Sequence, residues 1–323
     1  MRERLARQLI QDIDTTEGKN MTASKNPRVG FIGLGMMGHG MAKNLLAKGF
    51  PVSFVAHRNR SNLQDLLDAG ASEQPTRAAV AVASDVVIIC VTGSPQVEEI
   101  VYGTEGLLTA AAKGLTVIDT STAEPASTAR IRADFAARGV AFIDAPLART
   151  PKEAEEGRLN TMVGAEQADF DRVRPVLAAF CENIFHVGPP GHGHVLKLIN
   201  NMLAMTTAAA IAEATATAAK SGLSLQKLFE VISAGGVNSG IFQMMLGKTL
   251  QGDLAGLKFA IGNAQKDLRY YTHLTEMLPT TSFLAEAAHQ SFVQAGNLGL
   301  GDKFIASLLE AQEKLNNVQI IPR

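Results

Sequence analysis

The chain has 323 residues, enough for about two domains, and 46% of them are apolar, enough for sizeable cores. A formal net charge of -1 leaves no basic excess to hold nucleic acid. The two cysteines, Cys90 and Cys181, lack metal-type spacing, which argues against a disulfide framework and fits a reducing cytoplasm.

Residues 1–27 are charged and polar, and they lack the apolar core of a secretory signal. They read as a disordered arm or an extension, with Met21 as an alternative start. No apolar run looks long and charge-free enough to span a bilayer.

The chain is organised around VGFIGLGMMGHGMAKNLL, Val29 to Leu46. An apolar strand runs into Gly33-Leu34-Gly35-Met36-Met37-Gly38, and a helix follows with Met41, Leu45 and Leu46 on one face. Gly33 lets the chain turn, Gly35 leaves room for a pyrophosphate, and Gly38 lets helix and strand pack closely. The free N–H groups of the helix start then face the phosphates. A lone GxGxxG is weak evidence, but a strand before it and a helix after it supply the context that identifies a dinucleotide site.

The second strand, Val52 to Val55, ends in Ala56-His57-Arg58-Asn59-Arg60. A fold selecting NAD places an acid near this point to take the ribose 2′-hydroxyl. None occurs here, and Arg58 and Arg60 suit a 2′-phosphate, so the sequence favours NADP over NAD. His57, Arg58 and Asn59 are cofactor-binding candidates.

A helix over Ser61–Gly70 precedes the unbroken apolar run Asp85–Val91, the signature of a strand buried on both faces. Leu115–Asp119 and Val140–Asp144 are further strands, with a helix over Glu124–Gly139 between them. This alternation predicts an α/β fold: a Rossmann-type, doubly wound parallel sheet with helices on both faces. Ligands to such sheets sit beyond the carboxyl ends of the strands, where Thr92, Ser121-Thr122 and Ala145–Thr150 fall. A strand at Leu159–Val163, a helix at Gln167–Phe180 and a strand at Ile184–Val187 extend the domain.

Gly188-Pro189-Pro190-Gly191 marks a boundary. The sequence thus predicts a dinucleotide-binding domain over 28–190 and an all-helical substrate and oligomerisation domain over 191–323. A long alanine-rich helix within 191–220 links the two. Further helices are expected at Ser224–Ser233, Gly240–Leu250, Leu257–Leu274, Thr281–Ala295 and Lys303–Lys314.

In GHGHVLKLINN, Lys197, Asn200 and Asn201 stand at i, i+3 and i+4 and share a helix face. A lysine with two amides on an apolar helix is costly to bury without purpose, although a snorkelling lysine would account for it too. His192 and His194 share no helix face and read as loop residues. No set of side chains has metal-ligand spacing, and no serine stands in a nucleophile elbow.

VGFIGLGMMGHGMAKNL, IDTST, DAPLART, GHGHVLKLINN and QKDL together resemble the signature segments of the β-hydroxyacid dehydrogenases, from Val29 to about Glu313. The resemblance implies a Rossmann-type domain plus a helical one, a homodimer or homotetramer, and a catalytic lysine at Lys197. It implies cofactor contacts at the glycine turn, Val91, Thr92, Gln96, Thr122 and Lys266, and substrate contacts at Ser121, Asn200 and Asn201. One departure stands out. Most relatives carry Ser-Gly-Gly where this chain has Ala148-Arg149-Thr150, which is similar to the Gly-Arg-Thr of the sulfolactaldehyde reductases. Arg149 and Thr150 become candidate anion-binding residues, unless Arg149 faces solvent or pairs with Glu153.

The expected function is NAD(P)-dependent hydride transfer to or from a small anionic aldehyde or alcohol. Candidates are tartronate semialdehyde, 3-hydroxyisobutyrate or a 3-sulfolactaldehyde-like compound. The alternatives are a 6-phosphogluconate dehydrogenase-like enzyme, which carries His-Asn in place of Asn200-Asn201, and a cofactor-binding scaffold, which loses the lysine.

Overall fold

The computed structural model describes residues 26–57, 60 and 63–322. The expectations placed on residues 1–25, Arg58 and Asn59 lie outside these residues. β1 (Val29–Ile32) leads through the glycine turn into α1 (Gly38–Ala47). There follow β2 (Val52–Val55), α2 (Gln64–Asp68), β3 (Ser72–Glu73), α3 (Arg77–Ala83), β4 (Val86–Ile89), α4 (Ser94–Tyr102), α5 (Leu107–Ala110), β5 (Thr116–Asp119), α6 (Pro125–Ala136) and β6 (Ala141–Asp144). Then come β7 (Leu147–Ala148), α7 (Pro151–Glu155), β8 (Leu159–Gly164), α8 (Gln167–Leu177) and β9 (Cys181–Gly188). The strands form a nine-stranded sheet of order β3-β2-β1-β4-β5-β6-β8-β7, with β9 beside β8.

Both faces of the sheet are covered, which is why its strands read as unbroken apolar runs. Phe31, Ile88, Ile118 and Ile143 stand side by side across four parallel strands and pack with Met41 and Leu45 of α1. The adjacent row, Val87, Val117 and Phe142, points the other way onto Phe135 of α6. The parallel sheet predicted from the sequence holds from β3 to β6. Beyond it the chain doubles back: β8 runs antiparallel to β6 and β7, pairing Asp144 with Gly164 and Leu147 with Thr161. Only residues 149–158 separate β7 from β8, fewer than the roughly dozen that a parallel crossover needs.

The second part is helical: α9 (His192–Lys220), α10 (Leu225–Ser233), α11 (Gly240–Phe242), α12 (Ile261–Met277), α13 (Phe283–Ala295) and α14 (Leu308–Asn316). The helix expected over Gly240–Leu250 is present but widens into a π-helix at Gln243–Gly247. Ala208, Ala212 and Ala216 of α9 let Leu268, Phe292 and Leu309 approach closely and close this core.

Two expectations about α9 need correction. Its apolar stretch is long enough to cross a bilayer by length and composition alone, yet its buried face packs on α12, α13 and α14. Nor are His192 and His194 loop residues, because both lie in its first turn. Gly191, with φ 97°, caps the helix, and the Asp144 carboxylate accepts the N–H groups of Gly191 at 2.6 Å and His194 at 2.9 Å. That carboxylate satisfies N–H groups that a helix start leaves open, so the helix begins before its apolar run does.

Candidate active site

The glycine turn fits a pyrophosphate. A Cβ on Gly33 would lie 2.1 Å from the Cys90 carbonyl oxygen, and one on Gly38 2.0 Å from that of Gly33. Those two glycines are demanded by packing, and Gly33 also by its φ of 105°. Around Gly35 a Cβ would meet nothing within 4 Å, so the turn is open on that side. α1 has no side-chain cap at Met37 and no acid in its first turn, which leaves N–H groups for an anion. Leu34 is half-buried beside the core, and Met36 is 78% exposed.

The next loops are tied to one another. The Val91 N–H donates to Ser121 Oγ at 3.0 Å, and the Ser121 N–H donates to Asp119 Oδ1 at 2.9 Å. Thr92 and Gln96 are exposed beside them. α12 then crosses from the helical part onto the strand ends. Its Tyr270 hydroxyl accepts the Ser94 N–H at 3.2 Å, and a Cβ on Gly93 would lie 2.7 Å from that hydroxyl. Lys266 Nζ donates to the Thr122 carbonyl at 3.2 Å, pairs with Asp267 Oδ1 at 2.7 Å and stands 4.6 Å from the centre of the Tyr270 ring. The structure therefore brings together Val91, Ser121, Thr122 and Lys266 from the sequence-derived set.

Lys197, Asn200 and Asn201 lie on α9 as the spacing requires. Asn200 Nδ2 donates to Asn201 Oδ1 at 3.0 Å, and Asn201 Nδ2 donates to Asp267 Oδ2 at 2.6 Å. Asp267, only 2% exposed, thus joins the amides of α9 to the Lys266 ammonium. Burial lowers the Lys197 pKa, Asp267 pulls it back up and Lys266 adds to the lowering; the net result lies below the usual lysine value. Sequence reading missed Asp267, although the QKDL segment contains it directly after Lys266. It also missed Asp144, whose signal was an acid closing the buried strand AFID.

The loop at Arg149 is arranged differently. Arg149 has a φ of 82°, a conformation costly for a side chain with a Cβ. Its guanidinium bonds the Arg158 carbonyl and the Glu182 carboxylate. Of the alternatives read from the sequence, the residue is solvent-exposed as the first required, whereas its ion pair is with Glu182 and not with Glu153. Glu153 instead closes a capping box at the start of α7 and accepts the Thr150 N–H at 3.0 Å. Arg149 and Thr150 are thus occupied by neighbours other than Lys197, Asn200 and Asn201. At the end of β2, His57 is exposed and Arg60 pairs with Glu73 at 2.7 Å.

Comparison with known proteins agrees with this geometry. Residues 28–188 match the family model for the NAD binding domain of 6-phosphogluconate dehydrogenase. Residues 191–311 match that for the NAD-binding domain of NADP-dependent 3-hydroxyisobutyrate dehydrogenase. The chain is 31% identical to 2-(hydroxymethyl)glutarate dehydrogenase of Eubacterium barkeri, over 92% of this chain and 98% of that protein. It is 30% identical to 3-sulfolactaldehyde reductase of Escherichia coli, over 87% of this chain and 94% of the relative. Among solved structures, a 3-hydroxyisobutyrate dehydrogenase from Salmonella typhimurium superposes with a TM-score of 0.77 at 29% identity, covering 88% of this chain and 99% of that one. With its glycine turn, its α9 lysine and matches that run almost end to end, the chain belongs to the β-hydroxyacid dehydrogenase family and is an NAD(P)-dependent oxidoreductase.

Proposed function

We propose that the protein reduces a small anionic aldehyde, or oxidises the matching alcohol, with Lys197 as its catalytic residue. One observation carries this reading: Lys197 shares a face with Asn200 and Asn201, and Asn201 is tied through Asp267 to Lys266, which reaches the strand ends at Thr122. A bound nicotinamide supplies or accepts the hydride. Lys197 handles the proton: its ammonium donates to the carbonyl oxygen in reduction, and its neutral amine takes the alcohol proton in oxidation. A lowered pKa supports both roles by bringing the two forms closer in population. Asn200 and Asn201 orient the reacting end of the substrate.

Arg149, Thr150 and Ser121 hold the substrate's acid group. The anion would displace Glu182 from Arg149, whose forked donors suit a sulfonate or a carboxylate. The preferred substrates are 3-sulfolactaldehyde-like or tartronate semialdehyde-like compounds, with 3-hydroxyisobutyrate as a further candidate. Gly33 to Gly38, His57, Arg58, Asn59, Val91, Thr92, Gln96, Thr122 and Lys266 hold the cofactor. NADP is preferred, because no acid stands between residues 56 and 60. The dinucleotide part spans 28–190 and the helical part 191–323.

A homodimer or homotetramer is supported by apolar side chains left open on the helical part, among them Leu203, Val231, Phe283 and Leu284. The free Cys90 and Cys181 fit the reducing cytoplasm. The test is a spectrophotometric screen of NADPH and NADH oxidation against a panel of anionic aldehydes. Turnover with at least one of them is expected, and a protein that binds NADPH yet turns over none would overturn the reading.

A further inference from the structure

Behind the cleft lies a buried pair that the chemistry above leaves unused. His194, in the first turn of α9, is fully buried, and Asp119, at the end of β5, is 1% exposed. Nε2 of the first and Oδ2 of the second face each other at 3.8 Å, and neither has a hydrogen-bond partner. Every other polar atom of the two side chains is engaged. Asp119 Oδ1 accepts the Ser121 N–H at 2.9 Å, and His194 Nδ1 lies 2.7 Å from Thr128 Oγ1 of α6.

Two lone pairs cannot face each other in a dry site without repulsion, so a proton lies between them, on Nε2 or on Oδ2. Thr128 also bonds the Glu124 carbonyl at 3.2 Å. If the hydroxyl donates there, Nδ1 must donate to it, and the proton beside Asp119 then makes the ring an imidazolium or the acid neutral. The charged group beside the pair is Asp144 of β6, which holds the His194 N–H at 2.9 Å; Lys197 stands one turn further along α9. Burial raises the Asp119 carboxyl above the usual carboxylate range, His194 draws it down, and Asp144 adds to the rise.

We propose that Asp119 and His194 form a proton-sharing dyad that positions Ser121 and Lys197 across the junction of the two parts. The placement supports this. Ser121 stands two residues beyond Asp119 and accepts the Val91 N–H, while Lys197 stands one helical turn beyond His194. One buried pair therefore bears on both the Ser121 loop and the start of α9. Neither residue touches the substrate; they act through Lys197 at the reacting carbonyl and Ser121 at the acid group. The proposal rests on the hydride-transfer reading of the site.

The test combines His194→Gln, His194→Phe and Asp119→Asn with steady-state kinetics, NADPH binding and 15N NMR of labelled histidine. In the unaltered enzyme the 15N spectrum should show both His194 ring nitrogens in hydrogen bonds. In Asp119→Asn, the Nε2 15N shift should change, whichever side holds the shared proton in the unaltered enzyme. His194→Phe should lower kcat at least tenfold while the NADPH Kd stays within twofold. His194→Gln, whose amide can still donate to Asp119, should recover most of that loss. An unchanged kcat and pH profile in His194→Phe, or a His194 Nε2 with the 15N shift of a nitrogen without a partner, would overturn the dyad. Should His194→Phe not fold, the NMR result and His194→Gln decide. An unaltered enzyme without turnover would sink the functional reading alone, and the NMR result would still decide the dyad.

Discussion

The two walls of the cleft are built to different standards. On the α9 and α12 wall, Asn201 and Asp267 are 6% and 2% exposed, and the hydrogen bond between them lies inside the protein. On the Arg149 wall the ion pair is surface-accessible, with side chains 30% and 45% exposed. A low dielectric strengthens the first set of contacts, whereas an exposed pair is worth at most about 1 kcal/mol. Asn201, beside the proposed proton-handling Lys197, is thus held by a buried bond to Asp267 that a substrate does not compete with. Arg149, the proposed anion-binding group, is held by an exposed pair that a substrate anion can replace. On the proposed function, reaction type belongs to the rigid wall and substrate choice to the yielding one.

The sharpest way to break this contrast is to remove Lys197. Lys197→Ala should cut kcat by about 10²–10⁴-fold, the range of general acid–base catalysis, with NADPH affinity little changed; a variant that kept most of its turnover would remove the difference between the walls. The pH profile carries the sign. Reduction needs the ammonium, so its rate falls as pH rises through the Lys197 pKa, which lies below the usual lysine value. Oxidation needs the amine, so its rate rises across the same window. Asp267→Ala comes next. It strips Asn201 and Lys266 of a buried acceptor, a change that costs about 3 kcal/mol when one member of a buried pair is lost. Asp267 also raises the Lys197 pKa, so the reduction limb should move to lower pH in that variant. Thermal melts and kcat profiles read the two effects separately.

The same contrast explains what the sequence could disclose. The glycine turn, the strand-end loops and the Lys197 face follow local rules: a spacing, a period, a residue without a Cβ. These were legible, as was the parallel sheet from its unbroken apolar runs. The antiparallel return of β8 was not, because it depends on how few residues separate β7 from β8. Asp267, Asp144 and the Asp119–His194 pair were hidden for a shared reason. Each acts through a partner between 47 and 75 residues away in the chain, and no periodicity reports such a contact. The Arg149 loop was half legible: its chemistry could be read, but its capture by Glu182 on β9 could not.

On the yielding wall the expected effects are smaller and fall on KM. Arg149→Ala should raise KM for an anionic aldehyde about tenfold, the low end for a charge-assisted hydrogen bond, with kcat within a factor of about three. An uncharged aldehyde of the same length should show no such penalty. Glu182→Gln should act in the opposite direction. It frees the guanidinium from its ion pair, and KM for the anion should fall by a few-fold, in keeping with a surface pair of about 1 kcal/mol. If KM rises instead, Glu182 holds Arg149 in its working position rather than competing for it.

The smallest effect concerns how the yielding wall is moored to the cofactor turn. His39, in the first turn of α1, lies 2.9 Å from Glu155 of α7 through Nδ1 and 2.9 Å from Asp65 of α2 through Nε2. With a carboxylate on each ring nitrogen, both nitrogens must donate, and the ring is an imidazolium. Burial lowers its pKa, but hydrogen bonds to Glu155 and Asp65 outweigh burial and raise it above the usual histidine value. A raised folded pKa stabilises fully below the unfolded value of about 6.5. That stability is lost as pH climbs through the folded pKa. At the acid end the contribution fades again as Asp65 and Glu155, both held below their usual range, take up protons. His39→Gln should therefore cost about 1 kcal/mol near pH 6 for these part-exposed pairs, a fall of about 2–4 °C in Tm. The gap to the unaltered protein should narrow towards pH 9. A gap that stayed constant across that range would mean that His39 holds the three helices by packing rather than by charge.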